Sequence, residues 1–157
     1  MSYQVVGSIL IGADDMIAEF VAARIPHMRD RNFGPYTTLG VVRKGYFLGG
    51  VVYHGYQGFD IQVSIAFDHP GWSLPSTMRA LFEYPFTQLG VKRMTAIVGR
   101  KNTRCRKLTA GLGFKLEGVH PKAMDGTEDA MTYGLLKENC KWIRDNGKEH
   151  TSPARAA

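Results

Sequence analysis

The chain has 157 residues, of which 44% are hydrophobic and 22% charged, and it carries a formal net charge of +6. This length and composition suit one soluble globular domain with its own core, and they exclude fibrous and disordered classes. The basic excess favours an anionic partner, which is a nucleic acid, a phosphorylated cofactor or an acidic protein. An ordinary basic surface explains the same excess.

The sequence lacks the signals of membrane insertion and secretion. No apolar run approaches the roughly 18 residues that a spanning helix needs. Acidic residues from Asp14 to Glu19 interrupt any signal-peptide pattern. Cys105 and Cys140 lack CxxC spacing and nearby ligand residues, so we expect reduced thiols and no metal site. A cytoplasmic protein without membrane contact is expected.

The first half predicts strands around one helix. Residues 3–11 are apolar and β-branched, which predicts a single strand. Residues 13–25 place apolar side chains at helical spacing after two aspartates. Residues 37–56 predict two strands joined in a hairpin at residues 43–45. Residues 60–67 alternate, with Ile61, Val63, Ile65 and Phe67 on one face and Asp60, Gln62, Ser64 and Ala66 on the other.

The second half predicts two helices and three strands. Residues 78–90 form a helix that Gly90 ends, and Pro85 should kink it or tighten its last turn. A strand at 92–98, a helix at 102–112 ended by Gly113, and strands at 114–119 and 130–136 follow. The order β-α-β-β-β-α-β-α-β-β implies a mixed α/β sheet with helices packed on its faces. Residues 1–144 form one domain, and residues 145–157 a polar, flexible tail.

An ordered set of short motifs occupies residues 60–137, about half the chain. Asn102-x-x-Cys105-x-x-Leu108 is followed by LGFKLEG at 112–118, and Asp129-x-x-x-Tyr133-Gly134 closes the set. Upstream, residues 84–96 carry YPF-x-x-LG-x-x-R-x-x-A. This set resembles the GNAT superfamily of N-acetyltransferases, especially its ribosomal-protein N-terminal branch and small phage-encoded GNAT-like proteins. The resemblance implies a mostly antiparallel sheet, with a parallel strand pair that splays at a cofactor cleft.

Acetyl-CoA is the co-substrate that the resemblance implies. The exposed backbone of the splayed strands pairs with the pantetheine arm, as an added strand would, and a helix N-terminus holds the diphosphate. On this basis the expected cofactor-binding residues are Ile65, Ala66, Phe67, Gly71, Trp72, Ser73, Leu74, Asn102 and Arg106.

The expected diphosphate loop departs from the family pattern. Relatives carry Gln/Arg-x-x-Gly-x-Gly/Ala, whereas this chain has Gly71 alone. Trp72 and Leu74 stand where the backbone should approach phosphate closely. Two interpretations of Trp72 are open, as a core anchor or as a lid over the cofactor.

The helix that follows Asn102 carries the next set of candidates. Asn102 is a good helix cap, either alone or in addition to a contact with the cofactor. Asn102, Arg106 and Thr109 form one stripe by spacing, and Cys105, Leu108 and Leu112 face the core. Thr109 occupies the position of the family tyrosine that protonates the leaving thiolate, and a threonine hydroxyl is a much poorer acid than a phenol. The basic cluster at 100–107 is either a solvated face or a partner for phosphates.

Ser64 is the candidate catalytic residue on the strand at 60–67, with Thr109 as a weak second. Relatives often keep a base or a water-holding residue on this polar face, which also carries Asp60 and Gln62. His54 and His69 border it, but a polar surface position is the more common explanation for each of these residues.

The resemblance implies a cytoplasmic acetyl-CoA-dependent N-acetyltransferase, in the host cytoplasm if a phage encodes it. The acceptor is a primary amine, namely a protein N-terminus, a lysine or a small amine, which attacks the thioester directly. The alternative is a non-catalytic GNAT-fold module that docks nucleic acid or an acidic protein. A homodimer paired through sheet edges is a further option. Residues 17–36 and 119–129, which select the acceptor in such enzymes, match no pattern.

Overall fold

The computed structural model describes residues 2–28 and 33–143. The strands are β1 (Gln4–Val6), β2 (Ile9–Ile11), β3 (Tyr36–Arg43), β4 (Tyr46–His54), β5 (Asp60–Phe67), β6 (Arg93–Gly99), β7 (Lys115–His120) and β8 (Ala130–Leu136). The helices are α1 (Asp14–Arg24), α2 (Pro75–Glu83) and α3 (Thr103–Gly111). The predicted flexible tail at 145–157 lies outside the described residues.

All eight strands form one sheet in the order β1-β2-β3-β4-β5-β6-β8-β7. Every neighbouring pair is antiparallel except β5 and β6, which run parallel. The parallel pairing covers only Asp60–Gln62 against Arg93–Thr95, after which the two strands separate. The predicted mixed, mostly antiparallel sheet with one splayed parallel pair is therefore confirmed.

Helices cover both faces of the sheet, as predicted. On one face α1 buries Ile17, Ala18 and Val21 against β2, β4 and β5. On the other face, α2 and the end of α3 pack over the larger core, whose members include Met78, Phe82 and Leu112. Ile61 and Val63 of β5 belong to that larger core and Ala66 to the smaller one, which confirms the predicted alternation at these positions.

The prediction of one strand at residues 3–11 is wrong. The segment forms a hairpin instead, in which Val6 of β1 pairs with Ile9 of β2. Gly7 makes the turn with a φ of 62°, a left-handed conformation that glycine adopts without the strain of a side chain. Apolar residues on both sides of the turn concealed it in the sequence.

Pro85 widens the end of the second helix, where a kink or a tighter turn was expected. Residues Tyr84–Gln88 form a π-helical turn, and the Leu89 amide donates to the Tyr84 carbonyl over 3.0 Å. Proline has no N–H, so it leaves the carbonyl of Leu81 without its usual helical donor. The buried hydroxyl of Tyr53 on β4 donates to that carbonyl at 2.6 Å.

Two glycines on β4 let its neighbours approach closely. A Cβ on Gly49 would lie 2.3 Å from the Ala66 carbonyl oxygen, and the φ of Gly49 is 145°. A Cβ on Gly50 would lie 2.7 Å from a methyl of Ile17 on α1. Distances this short exclude side chains, so these glycines fix how β5 and α1 rest on β4.

Candidate active site

The splay between β5 and β6 opens a cleft lined by backbone. Beyond the last pair, Gln62 with Thr95, residues 63–67 of β5 have no partner on β6. The Asp68 amide donates to the Leu48 carbonyl on the β4 side over 3.0 Å. Since backbone groups alternate along a strand, the N–H and C=O groups of Ile65 and Phe67 point to the opposite side, into the cleft.

Ala66 differs from its two neighbours. It pairs with Gly50 on β4, and its side chain is buried with α1. It still lines the cleft beside Ile65 and Phe67. The sequence assigned all three residues to the cofactor, and the structure gives the exposed backbone to Ile65 and Phe67.

The largest part of the cleft has a volume of about 650 Å³ and lies between the end of β5, the end of α1 and α3. Apolar walls come from Ile65, Phe67, Trp72 and Leu108. The polar lining comes from Arg24, Asp68, His69, Asn102 and Arg104. An elongated ligand with apolar and anionic parts suits this combination.

Arg24 and Asp68 form a two-bonded ion pair at the rim of this cavity. The Nε and Nη2 atoms of Arg24 donate to the two carboxylate oxygens of Asp68 over 2.8 and 2.7 Å. These hydrogen bonds lower the pKa of Asp68, and the positive charge of Arg104 lowers it further. The pair ties the C-terminal end of α1 to the loop that follows β5.

Arg106 points away from the cleft. Its guanidinium donates to the Tyr133 hydroxyl and to the Arg100 carbonyl, both over 3.1 Å, and it is not among the described lining residues. Arg104 lines the cavity instead. Sequence reasoning did not single out Arg104, because spacing defines the faces of a helix but not which face meets the cleft.

Several polar groups of the loop expected to hold the diphosphate already have hydrogen-bond partners within the protein. The Gly71 amide donates to Nδ1 of His69 over 2.9 Å, and the Gly71 carbonyl accepts from Arg43 over 3.1 Å. The Ser73 hydroxyl donates to the Pro70 carbonyl over 3.4 Å. Leu74, which is 38% exposed, precedes α2.

Trp72 is a core anchor, as one of its two interpretations had it, and it also borders the cavity. It is buried at 8% exposure within the larger core, and its indole stacks on the ring of Phe67. It also forms part of the cavity wall. Of the described loop residues, His69, Pro70 and Trp72 line the cavity, whereas Gly71, Ser73 and Leu74 do not.

Asn102 caps α3 and faces the cleft at once. Its side-chain oxygen accepts from the Cys105 amide over 3.1 Å, and the residue lines the large cavity and two smaller ones. Cys105 also lines the cleft, and burial raises the pKa of its thiol. Thr109 is buried, and its hydroxyl donates to the Cys105 carbonyl over 2.7 Å. That proton is already engaged, which weakens Thr109 further as an acid.

Smaller cavities continue the cleft. One of about 40 Å³ lies between the splayed strands, where Ser64, Asn102 and Thr109 contribute to its lining. Another of about 210 Å³ is lined by Met28, Gln62, Val63, Ser64, Ile97, Ala123 and Met124. A third of about 140 Å³ is lined by Pro26, Gly99, Asn102, Met124, Asp125 and Glu128. Both segments expected to select the acceptor thus border this end of the cleft.

Ser64 stands where two of these cavities meet, and it has a histidine partner. Nε2 of His54 on β4 lies 3.0 Å from the Ser64 hydroxyl oxygen. Asp60 is engaged elsewhere, since it accepts from the Thr95 hydroxyl over 2.8 Å and lies 3.6 Å from Arg93. The sequence placed His54 near the site but could not pair it with Ser64, because that requires the β4–β5 register.

Two of the basic side chains in the cluster at 100–107 are engaged by contacts within the protein. Arg100 pairs with Asp129 over 3.2 Å, and Arg106 is bound as described above. Lys101, Arg104 and Lys107 are exposed.

Metal-binding groups and membrane-spanning helices are two further features to consider. Over residues 2–28 and 33–143, no three His, Cys, Asp or Glu side chains group closely enough to hold a metal ion. Within the same residues, no helix combines the length and the apolar character that crossing a membrane requires.

No family model and no curated protein matches the sequence. Solved structures do match. A probable acetyltransferase is 18% identical, with a TM-score of 0.62, over 88% of this chain and 98% of that chain. A GNAT-family acetyltransferase from Bacillus anthracis is 14% identical, with a TM-score of 0.62, over 87% and 99%. Mycobacterium smegmatis RimJ, solved in complex with CoA-disulfide, is 20% identical, with a TM-score of 0.54, over 67% and 55%. The chain therefore has the fold of the GNAT acetyltransferases.

Proposed function

We propose that the protein is an acetyl-CoA-dependent N-acetyltransferase that acts on a primary amine by direct attack. The observation that carries this proposal is the open backbone of Ile65 and Phe67 along a cavity of about 650 Å³, at the splay of the parallel strands. The acceptor is a protein N-terminus, a lysine side chain or a small amine. A place beside ribosomal-protein N-acetyltransferases and phage-encoded GNAT-like proteins, and a cytoplasmic location, belong to the same proposal.

The lining residues suit coenzyme A part by part. The amide groups of a pantetheine arm pair with the backbone of Ile65 and Phe67, as an added strand would. The exposed side chain of Arg104 supplies positive charge for the phosphates at the cavity rim, whereas Arg24 is paired with Asp68. One loop amide, that of Gly71, is already taken by His69.

The backbone also supplies electrostatic help for the reaction. When an amine attacks the thioester carbonyl, negative charge develops on the carbonyl oxygen, and a backbone amide of Ile65 or Phe67 stabilises it. The nitrogen loses a proton, and the leaving thiolate gains one. Ser64 holds the water or the amine on the side where the proton leaves. Catalysis rests mainly on orientation, because Thr109 is a poor proton donor.

Calorimetry with acetyl-CoA tests the proposal. We expect saturable binding of one acetyl-CoA per chain. Release of CoA thiol should follow when a peptide with a free N-terminus, a lysine ester or a polyamine is added. Absence of binding at millimolar acetyl-CoA would overturn both the cofactor and the enzyme. Binding without thiol release from any amine, together with a salt-dependent shift on DNA or RNA, would favour the non-catalytic module.

A further inference from the structure

Two polar side chains, Ser64 and His54, lie in contact at the point where β5 and β6 separate. The site as described so far gives this contact no role. Ser64 lies two residues after Gln62, which is the last β5 residue paired with β6. It borders cavities of about 40 and 210 Å³. A hydroxyl at this point is within reach of a ligand that enters from either cavity.

His54 supports that hydroxyl from the neighbouring strand. In the β4–β5 register, His54 pairs with Gln62 and Val52 pairs with Ser64, so His54 and Ser64 are diagonal neighbours on one face. Nε2 lies 3.0 Å from the hydroxyl oxygen. The ring of Phe33 packs against the imidazole, with centroids 5.0 Å apart. The half-buried imidazole is therefore held in position beside Ser64.

Several titratable groups near this pair, among the residues that the structure describes, have partners of their own. Tyr36, which pairs with His54 across β3–β4, donates its hydroxyl to Asp15 of α1 over 2.5 Å. Asp14 accepts from the Thr38 hydroxyl over 2.7 Å, and Asp60 is bound to Thr95 and Arg93. His69 lies in the loop after β5, and its Nδ1 accepts from the Gly71 amide. Among these groups His54 is the one whose ring nitrogen faces the Ser64 hydroxyl.

We propose that His54 takes up the amine proton through Ser64 and so acts as a positioning residue for acetyl transfer. This inference rests on the proposed function. The acceptor arrives as an ammonium ion, because the pKa of a lysine-like amine is about 10.4. The ammonium gives one proton to the Ser64 oxygen, while the hydroxyl proton of Ser64 passes to Nε2 of His54. The neutral amine then attacks the thioester carbonyl.

The proton balance closes in two further steps. On collapse of the tetrahedral intermediate the C–S bond breaks, the nitrogen loses its second proton, and the thiolate gains one. The imidazolium of His54 then returns its proton to solvent. Overall, an ammonium ion and acetyl-CoA give an amide, CoA thiol and one proton. Imidazole suits this role because its neutral form can accept a proton and later release it.

The pH dependence of kcat/KM tests the relay, with the fastest amine among the peptide, lysine ester and polyamine as acceptor. We expect the wild-type rate to fall on the acid side with a single ionisation, because a protonated imidazole cannot accept the proton. His54→Gln should lose about 10²-fold in rate together with that acidic limb, while its affinity for acetyl-CoA stays unchanged. Ser64→Ala should act in the same way, and Ser64→Thr, which keeps the hydroxyl, should restore most of the rate.

Glu83→Gln is the control for loss of a titratable side chain, because Glu83 pairs with Arg79 within α2 over 2.8 Å and lines none of the described cavities. It should keep the wild-type rate and pH profile. A His54→Gln protein that is folded by circular dichroism and keeps both rate and acidic limb would overturn the relay alone. A wild-type protein that binds no acetyl-CoA would overturn the proposed function, and the relay with it.

Discussion

The indole of Trp72 lies flat on the ring of Phe67, with ring centroids 4.1 Å apart and planes 3° from parallel. Phe67 ends β5, and Trp72 belongs to the loop where the sequence predicted a diphosphate site. The stack joins the strand to the loop and forms one wall of the large cavity. Trp72, which departs from the family pattern of the diphosphate loop, therefore has a structural role.

Trp72→Ala should destabilise the protein by about 3–5 kcal/mol, because it empties a buried aromatic site and removes the stack. Trp72→Phe, which keeps a ring on Phe67, should cost clearly less. Urea unfolding followed by far-UV circular dichroism measures both. Equal unfolding midpoints for the alanine variant and the wild type would show that the stack contributes nothing.

Asn102 allows its two roles to be separated. Asn102→Asp keeps the side-chain oxygen that caps α3, so the free energy of unfolding should stay within about 0.5 kcal/mol of wild type. The same variant places a negative charge in the cleft and should weaken acetyl-CoA binding by about tenfold or more. Asn102→Ala removes the cap and should therefore also lose about 1 kcal/mol in free energy of unfolding.

Urea unfolding and calorimetry on the same protein samples distinguish these effects. If Asn102→Asp binds acetyl-CoA as tightly as wild type, Asn102 is a cap only.

Gly49 is expected to tolerate no side chain. In Gly49→Ala the new Cβ meets the Ala66 carbonyl, which cannot move without shifting β5, and a φ of 145° adds strain. We expect a loss of about 2 kcal/mol or more in stability, and weaker acetyl-CoA binding, because β5 forms the cleft wall.

Gly134→Ala on β8 is the matched control. The atoms nearest its Cβ would be the ends of the Arg93 and Glu117 side chains, which can swing aside. The cost should stay near the worth of a surface ion pair, about 1 kcal/mol or less. Equal losses in the two variants would contradict this account.

Asp125 should give the turn before β8 a distinct acid dependence. Its carboxylate accepts from the Glu128 and Thr127 amides and from the Thr127 hydroxyl, and these bonds lower its pKa from 3.8 to about 2. Because the folded pKa is depressed, the ionised form stabilises the fold fully above the unfolded pKa. That contribution is lost as the pH falls from 3.8 toward 2.

The comparison with Asp125→Asn isolates this charge, since asparagine keeps one acceptor oxygen. The difference in urea midpoint between wild type and variant should be constant above about pH 5 and should shrink below about pH 4. A difference that does not vary with pH would contradict the assignment.

Much of the fold follows from local sequence patterns. The helix from Asn102 carries a cap residue, and Gly113 with a φ of 108° follows its end, as predicted. The alternation along residues 60–67 also identified β5 and its two faces. These features depend on neighbours in sequence, so one chain suffices to predict them.

The features that the sequence did not predict depend on contacts between segments that are distant in the chain. The pairing of His54 with Ser64 needs the strand register, and the choice of Arg104 over Arg106 needs the rotation of α3 against the sheet. Gly7 lies inside an apolar run, where a glycine is compatible with a continuous strand. Before the π-turn at Pro85, the Leu81 carbonyl accepts from Tyr53, which is 28 positions away in sequence but adjacent in space.

The bond from Tyr53 to Leu81 also fixes the position of α2 along the sheet. The carbonyl four residues before Pro85 loses its helical donor, and the buried Tyr53 hydroxyl takes that donor's place. Sliding α2 by one turn, about 5.4 Å, would leave a phenol without a partner in the core. Pro85 thus helps to set where α2 lies against β4, and the Trp72 loop leads directly into that helix.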